Sequence, residues 1–391
     1  MVEHLRALWS RLDSVLMAAL ALLATFGLVG LSSLALRGHA PDFSVVMRQG
    51  VALGLGVIAF FVVARIDWRA WERWWPFVAV GTLSVLIAVL VVGARVHGTR
   101  GWLTIGSWTL QPVEFAKIGL IVLQAVYFRR RARSLGRLRT ILESAAITAV
   151  IVVPVLLQPD LGSALVLLAT WFGMLLVLGL RRAHLLMFAL GAFAAAVVAW
   201  FTVLQPYQRE RMLTFLDPNR DPQGAGYNQR QAVIAIGAGG WLGRGFGQGT
   251  QAQLRFLPEA QSDFLPAVVG EEFGFLGMAV LVVCLLAIAI RLGLLARRCP
   301  DDASAALVVG IAICFGVQSA FNLAMNLGVA PVMGVPFPFV SAGGSAILAF
   351  ACAFGMVSSI AATVPRAEPR AYAFDVLASV RDAHGTSERC G

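Results

Sequence analysis

Charge is scarce in this sequence: Asp, Glu, Lys and Arg make up only 13% of its 391 residues, against 59% hydrophobic types, and the mean hydropathy is +0.79. A chain so poor in charge cannot hide its apolar surface in one water-soluble core, which excludes an ordinary soluble domain. Lysine is scarcer still, because Lys117 is the only one and every other cation is arginine. Five cysteines (Cys284, Cys299, Cys314, Cys352 and Cys390) form no C-x-x-C pair and fall in apolar runs or on the basic side, so neither a disulfide framework nor a zinc site is indicated. H-E-x-x-H, G-x-S-x-G and His/Cys clusters are all missing, which argues against zinc-protease and serine-hydrolase chemistry. The glycine-rich run GRGFGQG follows no strand and is not read as a nucleotide loop.

What the sequence has in quantity is long apolar runs. Stretches of the roughly 17 to 25 residues needed to cross a bilayer lie at about 13–36, 45–64, 76–94, 112–128, 140–157, 162–180, 183–203, 265–290, 305–327 and 338–362. The expected fold is an all-α polytopic integral membrane protein with about ten transmembrane helices. Arg6 and Arg11 precede the first run as in a signal peptide, but the run is too long and no small-residue cleavage site closes it, so it reads as an uncleaved helix. Of the 31 basic residues, twenty fall on the side of the N-terminus and ten on the other, six of those ten in one long loop. Because cytoplasmic loops retain arginine, both termini are expected in the cytoplasm. The net charge of +10 then faces anionic membrane lipids, and nucleic acid is not implied. This gives a cytoplasmic N-terminus at 1–12, a membrane region at 13–364 and a polar cytoplasmic tail at 365–391. The extracytoplasmic loop at about 205–264 is expected to carry short interfacial helices, with turns at its Asp-Pro and Gly pairs.

Ionisable groups in or beside spans are costly unless paired, and so mark candidate sites. QPVEFAK places Gln111, Glu114 and Lys117 at successive i, i+3 positions, so carboxylate and ammonium share a face, as a structural ion pair or as part of a site. QPDLGSA puts Asp160 at a helix mouth, where by itself it reads as a cap. FLPEAQSDFLPAVVGEEFGFLG gathers Glu259, Asp263, Glu271 and Glu272, a group better explained by cavity lining than by capping. Gln318, Asn322 and Asn326 form a polar stripe that suits interhelical hydrogen bonding, with Asn322 also a cavity-lining candidate. In GVPFPFVSAGGS, Pro336 and Pro338 break the helix, and Gly343, Gly344 and Ser345 allow backbone to approach a ligand.

Taken in order, RGW at Arg100 to Trp102, QPVEFAK, QPDLGSA, DPxxDPxGxGY from Asp217 to Tyr227, FLPEAQSDF, GEEFGFLG and PFPFVSAGGS resemble the SEDS (shape, elongation, division and sporulation) family of bacterial cell-wall polymerases, from about Asp13 to Val364. GTQ at Gly249 to Gln251 and GVPFPF look more like its elongation branch, RodA, than its division branch, FtsW. The resemblance implies a ten-helix glycosyltransferase of the bacterial cytoplasmic membrane that joins lipid II units into glycan strands outside it. It also implies a class B penicillin-binding protein as transpeptidase partner. The family's catalytic carboxylate falls on Asp263 within PE-x-x-x-D-F, and its substrate-binding residues on Arg100, Glu114, Lys117, Asp160 and Ser345. A divalent cation, Mg2+ or Mn2+, is implied by likeness alone, with no ligand set of its own. The chain departs from the family pattern at Val113, Gln261, Ser262 and Ala342, where a serine, a histidine, a threonine and a tyrosine are common.

These expectations fit one chemistry. A polymerase outside the membrane needs a donor already activated on a lipid pyrophosphate, cations for that pyrophosphate and a base for the acceptor hydroxyl. Arg100 and Lys117 are the expected cations and Asp263 the expected base. The competing readings are a transporter or flippase of lipid-linked precursors, a division-branch polymerase, and a scaffold that needs no Asp263.

Overall fold

The computed structural model describes residues 13–364 apart from 38–39, 97, 107, 135, 181, 218–219 and 222–223, so the expected N-terminal segment 1–12, the tail 365–391 and part of the DPxxDPxGxGY motif lie outside the described residues. The long helices are α1 (Ser14–Ala35), α2 (Ser44–Ala64), α4 (Trp75–Val92), α5 (Pro112–Arg131), α6 (Leu138–Leu157), α7 (Leu161–Leu178), α8 (Arg182–Thr202), α12 (Leu265–Ala296), α13 (Asp302–Asn326) and α14 (Gly344–Thr363). The short helix α3 (Trp68–Arg73) precedes α4, and α9 (Pro206–Leu216), α10 (Ala225–Gly239) and α11 (Thr250–Gln253) occupy the long loop.

Among the described residues nine helices are long and apolar enough to cross a membrane. The tenth expected span, α5, carries Glu114, Lys117 and a basic end, yet fourteen of its twenty residues are buried. Protein rather than lipid solvates it, which is why it can hold charges that lipid would reject. Helix α8 is the opposite case, with none of its apolar window buried in the protein. With every long helix crossing, the sheet, Asp160, the long loop and Asp263 share one end of the bundle, and Asp13 and Val364 mark the other.

A three-stranded antiparallel sheet, β1 (Ala94–Val96), β2 (Thr99–Ile105) and β3 (Trp108–Leu110), joins α4 to α5 and departs from the all-helical expectation. Leu103 pairs with Leu110 and Ile105 with Trp108 around a turn where Gly106 has φ +62°. The strands are too short for their period to show in a sequence dominated by apolar runs.

Helix α12 is broken at Gly274, whose φ of 65° and ψ of −156° are open only to glycine. The break leaves backbone groups without helical partners, and the glycine-rich loop supplies them. The amides of Arg244 and Gly245 donate to the carbonyls of Glu271 and Glu272 at 3.0 Å, while Phe275 and Leu276 donate to the carbonyls of Gly240 and Trp241 at 2.8 and 3.2 Å. The run that looked superficially like a nucleotide loop is thus a plug in a helix break. Residues 275–296 still make about 33 Å of helix, enough to cross the ~30 Å hydrocarbon core.

The last expected span begins later than read, at Gly344. Residues 327–343 carry no helix, although Phe337 and Val340 are fully buried. Irregular backbone at this depth survives only where protein groups satisfy it. Those groups belong to the site.

Candidate active site

Three amides on one face of α13 organise the site. Gln318, Asn322 and Asn326, four residues apart, are each fully buried. Gln318 donates to the Pro336 carbonyl at 3.1 Å, and Asn322 to the carbonyls of Val335 and Asp263 at 2.8 and 3.0 Å. Asn326 donates to the same Asp263 carbonyl at 3.0 Å and accepts from the Ala267 amide at 3.1 Å. The stripe therefore joins the start of α12 to the irregular segment 335–336. Asn322, also a cavity-lining candidate, here clamps backbone, the hydrogen-bonding role that the stripe suits.

Asp263 sits two residues before α12, half-buried, with its amide donating to the Glu259 carbonyl at 3.1 Å. A Cβ placed on Gly334, at φ +67°, would lie 3.7 Å from its Oδ2, an ordinary contact distance, so Gly334 adjoins this carboxylate. The adjoining Gln261 carbonyl accepts from the Ala342 amide at 2.8 Å, which fastens the loop to the irregular segment. Glu259 is exposed at φ 50° and accepts from Ser262 Oγ at 3.1 Å, so it supports the turn that presents Asp263.

A second network runs along α5. Lys117 Nζ donates to Glu114 Oε1 at 2.6 Å and to Gln318 Oε1 at 2.8 Å, and Lys117 and Glu114 are each about 1% exposed. One turn earlier the Gln111 amide donates to Ser345 Oγ at 2.8 Å, and Gln111 Nε2 donates to Asp160 Oδ2 at 3.3 Å. Asp160 Oδ1 accepts from the Ser163 amide at 2.9 Å, the capping role read from the sequence. Burial pushes the Asp160 carboxyl above the ordinary carboxylate range. Glu114, Lys117, Asp160 and Ser345 thus meet in one network, which Gln318 and Asn322 join to Asp263 through residues 335–336.

Three expected site residues are placed otherwise. Arg100 donates from Nε to the Gly93 carbonyl at 3.1 Å and from Nη2 to the Val91 carbonyl at 2.9 Å, closing the end of α4. Its own amide donates to the Gln158 carbonyl at 3.1 Å. Alternation along β2 sends Arg100 to α4 and its neighbour Thr99 the other way. Glu271, fully buried, accepts from the amides of Gln251 and Ala252 at 2.8 and 3.0 Å at the start of α11. Glu272 accepts from Ser33 Oγ of α1, and Gln253 Nε2 donates to that same Ser33 Oγ at 3.0 Å. These two carboxylates tie the long loop to α12 and α1, which corrects the cavity-lining expectation.

A small open cleft lies at Asp160, lined by Thr99, Gly162, Tyr207, Gln208, Arg211 and Met333 among others. Tyr207 Oη and Gln208 Nε2 each donate to the Pro159 carbonyl at 3.0 Å. Arg211 lies over the Tyr207 ring, 5.6 Å from its centre. Met333 borders this cleft while the next residue, Gly334, faces Asp263, so one extended segment has Asp160 on one side and Asp263 on the other. Sequence reasoning passed over Thr99, Tyr207, Gln208 and Arg211. The available signal was Gln205-Pro206 opening a helix with Tyr207 and Arg211 on one face, four residues apart.

Among the described residues no group of three or more His, Cys, Asp or Glu side chains converges.

The family profile described as "cell cycle protein", covering FtsW, RodA and SpoVE, matches residues 13–365. The chain is 37% identical over 356 residues to a probable peptidoglycan glycosyltransferase FtsW of Nitrosococcus halophilus, covering 88% of this chain and 91% of that protein. It is 34% identical over 352 residues to the peptidoglycan glycosyltransferase MrdB of Escherichia coli, covering 89% and 92%. Among solved structures, a chain from a peptidoglycan synthase complex that coordinates polymerization and crosslinking matches with a TM-score of 0.76 and 34% identity, covering 91% of this chain and 99% of that one. The rod shape determining protein RodA of Thermus thermophilus matches with a TM-score of 0.66 and 30% identity, covering 89% and 96%.

Proposed function

The chain belongs to the FtsW, RodA and SpoVE family, and from that premise we infer that it is a multi-pass membrane peptidoglycan glycosyltransferase, with Asp263 as its catalytic carboxylate and lipid II as its substrate. The observation that carries the assignment of Asp263 is the division of labour at that residue. Its backbone carbonyl is gripped by Asn322 and Asn326, whereas its side chain is only half-buried, beside Gly334 of the irregular segment. A general base must be held still and left reachable.

In the proposed step Asp263 accepts the proton of an acceptor sugar hydroxyl as that oxygen attacks the anomeric carbon of the donor sugar. The bond from that carbon to the pyrophosphate oxygen breaks, and the electron pair leaves with the lipid pyrophosphate. The positioned carboxylate contributes about 10² to 10⁴ in rate. No step is routed through a divalent cation.

GTQ at Gly249 to Gln251 and GVPFPF at Gly334 to Phe339 support the elongation branch. The likeness to a chain of a polymerising and crosslinking complex supports a crosslinking partner, proposed to be a class B penicillin-binding protein. The arginine distribution supports a cytoplasmic location for both termini and, with it, an extracytoplasmic position for Asp263.

The test is Asp263→Asn in purified protein given lipid II, with and without the cognate transpeptidase. Loss of glycan synthesis in a variant that remains folded is expected. Unchanged synthesis overturns the catalytic assignment, and a wild type that moves labelled lipid II across vesicles without polymerising it replaces the enzyme with a transporter.

A further inference from the structure

Both cations expected to meet the substrate's pyrophosphate are committed elsewhere. Lys117 is buried against Glu114 and Gln318, and the Arg100 guanidinium donates to the end of α4. The cations on and near α9 separate in the same way. Arg209 Nη2 donates to the Phe201 carbonyl at 3.3 Å, and Arg220 approaches Glu210 at 3.9 Å. Arg211 alone of these lines the cleft beside Asp160, and among the described residues its guanidinium makes no ion pair or hydrogen bond.

We propose that Arg211 binds the pyrophosphate of the lipid-linked sugar at the mouth of the open cleft that it shares with Asp160, Thr99 and Tyr207. The inference rests on the glycosyltransferase reading above and supplies that reading with its phosphate-binding residue. A planar guanidinium with unused donors is the side chain best suited to bidentate phosphate contact. The Tyr207 ring fixes its plane from one side. Tyr207 is itself fixed by its hydrogen bond to the Pro159 carbonyl, directly before Asp160. Asp160 Oδ2 receives a long 3.3 Å bond from Gln111, and a carboxylate oxygen has lone-pair capacity for a sugar hydroxyl as well. Cation and carboxylate in one small cleft match a sugar phosphate, with phosphate toward Arg211 and hydroxyls toward Asp160. A bare anion would not suit Asp160, nor a bare sugar Arg211. Met333 lines this cleft and the next residue, Gly334, adjoins Asp263, so the proposed phosphate site and the catalytic carboxylate border one segment.

The experiment measures binding of fluorescent lipid II to the full chain in nanodiscs, on an Asp263→Asn background with EDTA present so that nothing turns over. Arg211→Met, which keeps an apolar stem over Tyr207, is expected to weaken binding about tenfold to a hundredfold, the range for a charge-assisted hydrogen bond. Arg211→Lys should recover part of the loss, because it restores the charge without the planar fork. Thermal unfolding of each variant reports separately on folding, and Arg211→Lys tests the charge if Arg211→Met is unstable. Binding by Arg211→Met within twofold of its parent overturns the inference and leaves the polymerase reading intact. Displacement of the probe by phosphatidylglycerol nanodiscs, relative to phosphatidylcholine ones, makes bulk phospholipid the ligand and also overturns it. If the parent binds no lipid II and the wild type makes no polymer, both readings fall.

Discussion

Lys117 and Glu114 stand 2.6 Å apart inside α5, each almost wholly buried, and Gln318 of α13 takes a second proton of the same ammonium. Such a pair is sensitive to losing one member and tolerant of losing both, because the cost lies in stranding a charge rather than in lacking a bond.

Glu114→Gln or Lys117→Met alone is therefore expected to destabilise the protein by about 3 to 5 kcal/mol. The double variant Glu114→Gln with Lys117→Met should recover most of that. Thermal unfolding in nanodiscs gives the comparison. A double variant no better than the worse single would show that the pair contributes more than mutual neutralisation.

Asp160 gives a pH-dependent prediction. Burial raises its carboxyl above the ordinary range, so the folded protein favours the protonated form. The resulting penalty is absent below the ordinary carboxylate pKa, grows as pH rises toward the raised native value, and is complete above it. Asp160→Asn keeps an acceptor for the Ser163 amide, since Asn caps a helix as well as Asp. It is expected to raise the melting temperature at neutral pH, with the gain shrinking as pH falls to about 4. A gain of equal size at both pH values would remove the burial explanation.

The spans were legible because lipid imposes one period and one length on every helix that faces it. Even α5, which fails on hydropathy alone, was marked by QPVEFAK. Asp263 was legible only through its motif, since nothing in the local residues distinguishes it from Glu259, which ends up exposed beside it. The sheet was invisible because strands of three to seven residues give no usable period in so apolar a chain. The direction of Arg100 was hidden by the same gap: which way it points depends on β2 and on the Gln158 carbonyl that anchors it. Arg211 was passed over because the significance proposed for it depends on Asp160, which α9 meets through the bonds of Tyr207 and Gln208 to the Pro159 carbonyl. Glu271 and Glu272 looked like cavity carboxylates because their partners are backbone amides and a serine on other elements.

Arg100 tests that account directly. If it closes the end of α4, then Arg100→Met should cost about 1 kcal/mol of stability and leave the affinity for fluorescent lipid II within about twofold, where twofold is ~0.4 kcal/mol. Arg211→Met should do the reverse. A loss of lipid II affinity at Arg100 without loss of stability would return it to the substrate site.

Gly274 tests the plug in α12. Its backbone conformation is closed to any residue with a Cβ, and a Cβ there would collide with the backbone nitrogen of Gly243. Gly274→Ala therefore has two outcomes available: α12 stays broken under strain of about 1 to 3 kcal/mol, or it straightens and expels residues 240–245. Expulsion would free the amides of Arg244 and Gly245 and loosen the segment that Glu271 anchors through Gln251 and Ala252. Asp263 lies eleven residues before Gly274 on the same strut, so glycan synthesis should fall together with stability. Limited proteolysis separates the outcomes, because cleavage between Trp241 and Gln248 should rise sharply only if the loop leaves the break. Protection equal to wild type, with unchanged melting temperature, would show that the loop does not depend on this glycine.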